Sequence, residues 1–265
     1  MSASAALQVA APSPGFGAWL RSGWDRRSLV ALALLVGVGA AVGYRWSDLI
    51  DPSGALDWLL LGTWLWMATM LTWRVSARRD LVFLGVGLVG GGVIEWWGTY
   101  SRIWTYFTLE RPPLWILPAW PIATLAIDRM ARILDRAAGA RLPAVWTFIA
   151  YWVLVPSFVV SMIAFARHTV HITATQVVIL LMLGVTLACR DPRRDITLFA
   201  AGSLLGIFLE YWGTSRQCWT YYTEQVPPPV AAVAHGFAAI AFARGADALN
   251  RVLDVAAAKR AQGFA

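Results

Sequence analysis

Two glutamates stand out in a chain that carries few charges. Glu95 belongs to the run Gly87-x3-Gly91-x3-Glu95-x2-Gly98-Thr99, and Glu210 to Gly202-x3-Gly206-x3-Glu210-x2-Gly213-Thr214. The two runs lie 115 residues apart, and that offset holds without a gap from Asp80/Asp195 to Pro113/Pro228, where 13 of 34 aligned pairs are identical. Aromatic residues keep the same register: Trp97 with Trp212, Trp104 with Trp219, and Tyr106 with Tyr221. A carboxyl group held in low dielectric favours its neutral form, and a neutral carboxylic acid can donate a proton. Aromatic faces attract cations. Together these groups suit protonation of an isoprenoid double bond, with the rings stabilising the carbocation. Capture by water would give a hydratase, and capture by a second alkene a cyclase.

The candidate catalytic residues are therefore Glu95, Glu210 and His235. His235 aligns with Trp120 and is expected at the depth of Glu210, where it could bond either Glu210, a pair with no counterpart at Glu95, or a backbone carbonyl. The candidate substrate-binding residues are Trp97, Trp104, Tyr106, Trp120, Trp212, Trp219 and Tyr221. Asp57 is a lesser candidate, with Ile172 at the matching position. Plainer alternatives exist for each: an interfacial or helix-bonded glutamate, a histidine on a backbone carbonyl, and the aromatic belt that marks most membrane interfaces.

Helices must position these groups. Residues spaced by four share a helix face, so Gly87, Gly91 and Glu95 form one stripe. Small residues at that spacing let helices approach closely inside a bilayer, and the glutamate continuing the stripe is expected to face protein. Pro118 and Pro121 are expected to distort the following helix and free carbonyls there.

Composition sets the class. The chain has 265 residues, 58% hydrophobic and 14% charged, with mean hydropathy +0.59. A soluble domain is nearer a quarter charged, so an all-α polytopic membrane protein is expected. Eight spans fit, near 28–45, 56–73, 80–98, 113–130, 143–166, 172–189, 195–213 and 228–246. Of the 22 Lys and Arg residues, 17 fall in the tails and the loops on one side. That asymmetry predicts both termini in the cytoplasm, in a bacterial-type inner membrane. The net charge of +7 reflects loop arginines and not a nucleic-acid partner. The expected division is a disordered tail over 1–27, four-helix repeats over 28–141 and 142–254, and a cytoplasmic tail over 255–265. An even number of spans per copy makes the repeats parallel, related by a pseudo-two-fold axis along the membrane normal. Glu95 lies fifteen residues beyond Asp80, roughly 22 Å along a helix, which places both glutamates in the outer third of the membrane. The first apolar run is expected to be a retained helix and not a cleaved signal.

No metal or cofactor is expected: the sequence has two cysteines, three histidines and no GxGxxG, P-loop, HExxH, GxSxG or CxxC pattern. Cys189 and Cys218 are expected on opposite membrane faces and unpaired.

The sequence Glu95-x2-Gly98-x5-Trp104-x-Tyr106, followed by Pro113-Leu114-x-Ile116-x-Pro118-Ala119-Trp120, resembles the membrane carotenoid-biosynthesis family that includes the bacterioruberin-type carotenoid hydratases. The resemblance spans residues 95–120. The second copy departs from it, with Val230 to Gly236 where Trp and Pro stand in the first. It implies proton-initiated carotenoid or terpenoid chemistry with Glu95 as the acid and a hydrophobic, isoprenoid-like small molecule as ligand. The alternatives are a proton-coupled small-molecule transporter and a membrane scaffold or assembly subunit. The enzyme requires Glu95 or Glu210, whereas a scaffold tolerates Gln at both.

Overall fold

The computed structural model describes residues 15–45, 47, 53–139 and 142–263. Most of the 1–27 tail therefore lies outside the described residues. Its last part is helical: α1 (Phe16–Arg21) lays Trp19 edge-on to Trp73, with ring centroids 5.1 Å apart.

The long helices follow as α2 (Arg26–Arg45), α3 (Ala55–Thr72), α4 (Ala77–Tyr100), α5 (Ala119–Ala138), α6 (Ala144–Phe165), α7 (Thr173–Leu187), α8 (Pro192–Ser215) and α9 (Pro229–Gly263). Five of them, α2, α4, α6, α8 and α9, are long and apolar enough to cross a membrane. The other three differ for identifiable reasons. Helix α7 has only 15 residues. Helix α5 carries Asp128, Arg129, Arg132, Asp135 and Arg136 from its midpoint onward, and α3 has 18 residues with Asp57 in its first turn. Helix α9 continues through most of 255–265, so the expected cytoplasmic tail is largely helix.

The prolines ahead of Trp120 act differently from expectation. Pro113 is extended, Leu114–Ile116 form a single 3-10 turn, and Pro118 caps α5, which begins at Ala119. Pro121 falls in the first turn, where its missing N–H has no helical partner to lose. The prolines start the helix and do not distort it. The helix ends at Gly139, whose positive φ of +48° suits glycine after a helix.

The two copies have matching local backbones. Helices α4 and α8 are each 24 residues long. After each comes a turn with a left-handed residue, Arg102 or Gln217, then a three-residue strand: β1 (Trp104–Tyr106) or β2 (Trp219–Tyr221). A second left-handed residue follows at Leu109 or Glu224, then a cis peptide before Pro112 or Pro227. Neither left-handed pair is identical in residue type, yet both keep the 115-residue offset.

β1 and β2 pair with each other, antiparallel, with Trp104 opposite Tyr221, Thr105 opposite Thr220 and Tyr106 opposite Trp219. The ribbon closes one end of a bundle in which α8 packs along α9, α4 against α5, and α5 against α8. At the opposite end, arginines and aspartates interlock. Arg129 reaches Asp80 at 2.7 Å, Arg79 reaches Asp128 at 2.6 Å, and Arg193 reaches Asp135 at 2.6 Å. Arg194 pairs with Asp247, and Arg244 with Asp195. The chain thus has a ribbon end and a charged end.

Candidate functional site

Under the ribbon lies a cavity of about 540 Å³. All ten candidate residues from the sequence line it: Glu95, Trp97, Trp104, Tyr106, Trp120, Glu210, Trp212, Trp219, Tyr221 and His235. Apart from the two carboxyls, His235 and Cys218, the wall is aliphatic and aromatic, and among the described residues no lysine or arginine contributes to it.

The ribbon aims the donors. Side chains two apart on a strand share a face, as do directly paired residues on neighbouring strands. Trp104, Tyr106, Trp219 and Tyr221 therefore project from one face, with the Trp104/Tyr221 and Tyr106/Trp219 ring centroids each 6.0 Å apart. Each strand serves the glutamate of its own copy. Trp104 Nε1 donates to Glu95 Oε2 at 3.2 Å and Tyr106 Oη at 2.8 Å. Trp219 Nε1 donates to Glu210 Oε2 at 3.0 Å and Tyr221 Oη at 2.9 Å. Both glutamates are buried. Thr99 and Thr214 hydroxyls tie back to the Glu95 and Glu210 carbonyls, fixing the helix ends that hold the carboxyls.

The glycines make room for these rings. A Cβ on Gly98 would lie 1.8 Å from the Trp104 indole, and one on Gly213 would lie 1.9 Å from that of Trp219. Only a bare backbone lets the indole fold back over its own helix and reach the glutamate. Gly91 gives the same space to Trp120, whose ring would lie 2.1 Å from a Cβ there, and Gly206 gives it to His235, at 2.8 Å. Close helix approach occurs at Gly202, where a Cβ would meet the His235 carbonyl at 2.5 Å and the Gly236 Cα at 2.8 Å. The small-residue stripe is thus partly a helix contact and partly a set of ring-shaped notches.

The copies differ at one position. Trp120 Nε1 donates to Glu95 Oε1 at 2.9 Å, so both oxygens of Glu95 accept hydrogen bonds. His235 stands in the corresponding place but makes no bond to Glu210, contrary to one of the two sequence expectations. Its ring instead stacks on Trp120, with centroids 5.3 Å apart and planes 9° apart, and its Nδ1 is buried without a partner among the described residues. The cross-helix bond exists in the copy where the sequence suggested none, because an indole N–H reaches the carboxyl and the imidazole lies flat against that indole. The next layer of contacts differs too. Trp97 Nε1 donates to Thr175 Oγ1 at 3.0 Å, whereas Trp212 Nε1 is buried without a partner among the described residues.

Asp57 lies apart from the cavity wall and pairs with Arg216, linking α3 to the end of α8. Both cysteines are free thiols. Sequence reasoning missed Thr175, which has no motif, and Phe107 and Trp115, which line the cavity from the first copy. It also missed the buried Asp80–Arg129 and Asp195–Arg244 pairs, although Arg129 and Arg244 keep the 115-residue offset. No protein-family model, no curated protein and no solved structure matches the chain.

Proposed function

We propose that this protein is an integral membrane enzyme that protonates a double bond of an isoprenoid-like ligand, carotenoids being one class, and so acts as a hydratase or cyclase. The observation that carries the reading is the cavity: two carboxyl groups in an apolar, aromatic wall with no cation beside them among the described residues. Such a wall suits a hydrocarbon ligand, and cavities of a few hundred Å³ with a few converging polar groups are typical ligand sites. The resemblance of residues 95–120 to the carotenoid-biosynthesis family points the same way. In this reading eight helices cross a bacterial-type inner membrane as two parallel repeats. The charged end faces the cytoplasm with both termini, and the ribbon end lies towards the outer leaflet.

The step balances without a cofactor. A carboxyl O–H bond breaks, and the alkene π electrons form a C–H bond to that proton. The positive charge left on the other carbon faces the Trp and Tyr rings. Water adds to the cation and returns a proton to the carboxylate, giving an alcohol. Alternatively a second alkene adds, and loss of a C–H proton gives a ring. The Trp and Tyr N–H and O–H groups already aimed at the carboxyls stabilise the carboxylate as it forms.

The test is lipid and terpenoid profiling of a deletion strain, with and without the wild-type gene, followed by incubation of the unlabelled precursor with wild-type membranes in H2O or D2O. An isoprenoid precursor should accumulate on deletion, and the product formed from it in D2O should carry one non-exchanging deuterium at the protonated carbon. An unchanged profile removes the isoprenoid reading, and proton-coupled transport becomes the next assay.

A further inference from the structure

We propose that the two copies divide the work at this cavity: Glu210 is the proton donor, Glu95 is a positioning residue that holds the aromatic wall, and the Trp120/His235 difference sets them apart. The inference rests on the proton-initiated reading above and assigns its acid to Glu210, in place of the Glu95 that the family resemblance implies.

The geometry distinguishes the two carboxyls. An acidic proton occupies one oxygen of the pair, and that oxygen must point it at the ligand. At Glu95 both oxygens accept: Trp120 Nε1 donates to Oε1, and Trp104 and Tyr106 donate to Oε2. These bonds take three of the roughly four lone-pair sites of the carboxylate, so a proton on Glu95 has to share Oε1 with the Trp120 bond. At Glu210 both donors, Trp219 and Tyr221, converge on Oε2, and Oε1 accepts none among the described residues. Oε1 can carry the proton, while Oε2 is already held in the pattern that suits the carboxylate left behind.

His235 is the reason Oε1 is free. It occupies the Gly206 notch as Trp120 occupies the Gly91 notch, but its ring turns onto Trp120 and leaves the carboxyl uncapped. Its Nδ1 is buried against Gly206 without a partner among the described residues.

The cavity is also polarised from side to side. Its exposed lining aromatics, Phe107 at 68% and Trp115 at 47% exposure, both belong to the first copy.

The experiment compares product-to-precursor ratios in lipid extracts of the deletion strain carrying each variant, with membrane abundance and thermal unfolding of the purified protein measured alongside. Glu210→Gln is expected to lower the ratio by at least about 100-fold, the range of a lost general acid, and Glu95→Gln by less than about tenfold. His235→Trp, which restores a capping indole, is expected to behave like Glu210→Gln. Should Glu95→Gln fail to accumulate, Trp120→Phe takes its place, with a loss expected within the same tenfold. A 100-fold loss in a normally abundant Glu95→Gln, or wild-type-like activity in His235→Trp, overturns the division of labour and leaves the enzyme reading standing. Full activity in both Gln variants overturns the enzyme reading as well.

Discussion

The cavity under the ribbon and the charged end both hold acidic side chains between helices, and they satisfy them in opposite ways. At the charged end Asp80 and Asp195 are each met by an arginine at the same offset, Arg129 and Arg244, and Arg129 is fully buried. At the ribbon end the bonds to Glu95 and Glu210 come from neutral N–H and O–H groups. A permanent cation fixes a carboxylate in its charged form and ends its acid–base usefulness. Neutral donors orient a carboxyl without committing it. The same bundle therefore uses one kind of partner where it needs a joint and the other at the two carboxyls to which the proposed reading assigns proton transfer.

This contrast can be broken, beginning at the joint. Arg129→Ala leaves Asp80 without its buried cation and is expected to cost about 3–5 kcal/mol, seen as a large fall in unfolding temperature in detergent. Combining it with Asp80→Leu should recover most of that loss, because the unpaired charge is then removed. At the ribbon end Gly213→Ala drives a methyl group into the Trp219 indole. It should cost about 1–3 kcal/mol and shift the tryptophan fluorescence, while Gly184→Ala, where a Cβ meets open space, should shift neither. Tyr221→Phe removes one of the two bonds to Glu210 Oε2 and is expected to destabilise by about 1–2 kcal/mol. At the far edge of the charged end, Arg78 and Asp254 pair with both side chains 63% exposed. Arg78→Ala should cost no more than about 0.5 kcal/mol, and that little should vanish at high salt. An equally small cost for Arg129→Ala would erase the distinction between the ends.

Much of the ribbon end is legible in the sequence because its chemistry is local. Glu95, Trp104 and Tyr106 lie within twelve residues, so one helix end, one turn and one strand fix their meeting, and the second copy repeats the same spacing. What depends on packing between distant helices is less legible. The indole of Trp120 and the imidazole of His235 lie 25 residues beyond their glutamates, and which one bonds is decided by ring orientation, which spacing does not encode. The glycine spacing suggests helix contacts, yet Gly98 and Gly213 serve indoles of their own chain. Pro118 and Pro121 look like breaks inside a helix, but that helix begins just after Pro118. Arg129 and Arg244 keep the offset of the copies, but they lie beyond Pro113 and Pro228, where the gap-free likeness ends and nothing nearby marks them as partners of Asp80 and Asp195.

The ribbon has one more consequence. Each of its strands is anchored to its own glutamate through Trp and Tyr, and among the described residues each is the other's sole strand neighbour. Neither strand can shift alone: displacing Tyr106 pulls on Thr105, hence on Thr220 and Tyr221. Mechanically the two strands are one yoke across that end of the bundle, so the two copies are coupled through the ribbon as well as through their helices.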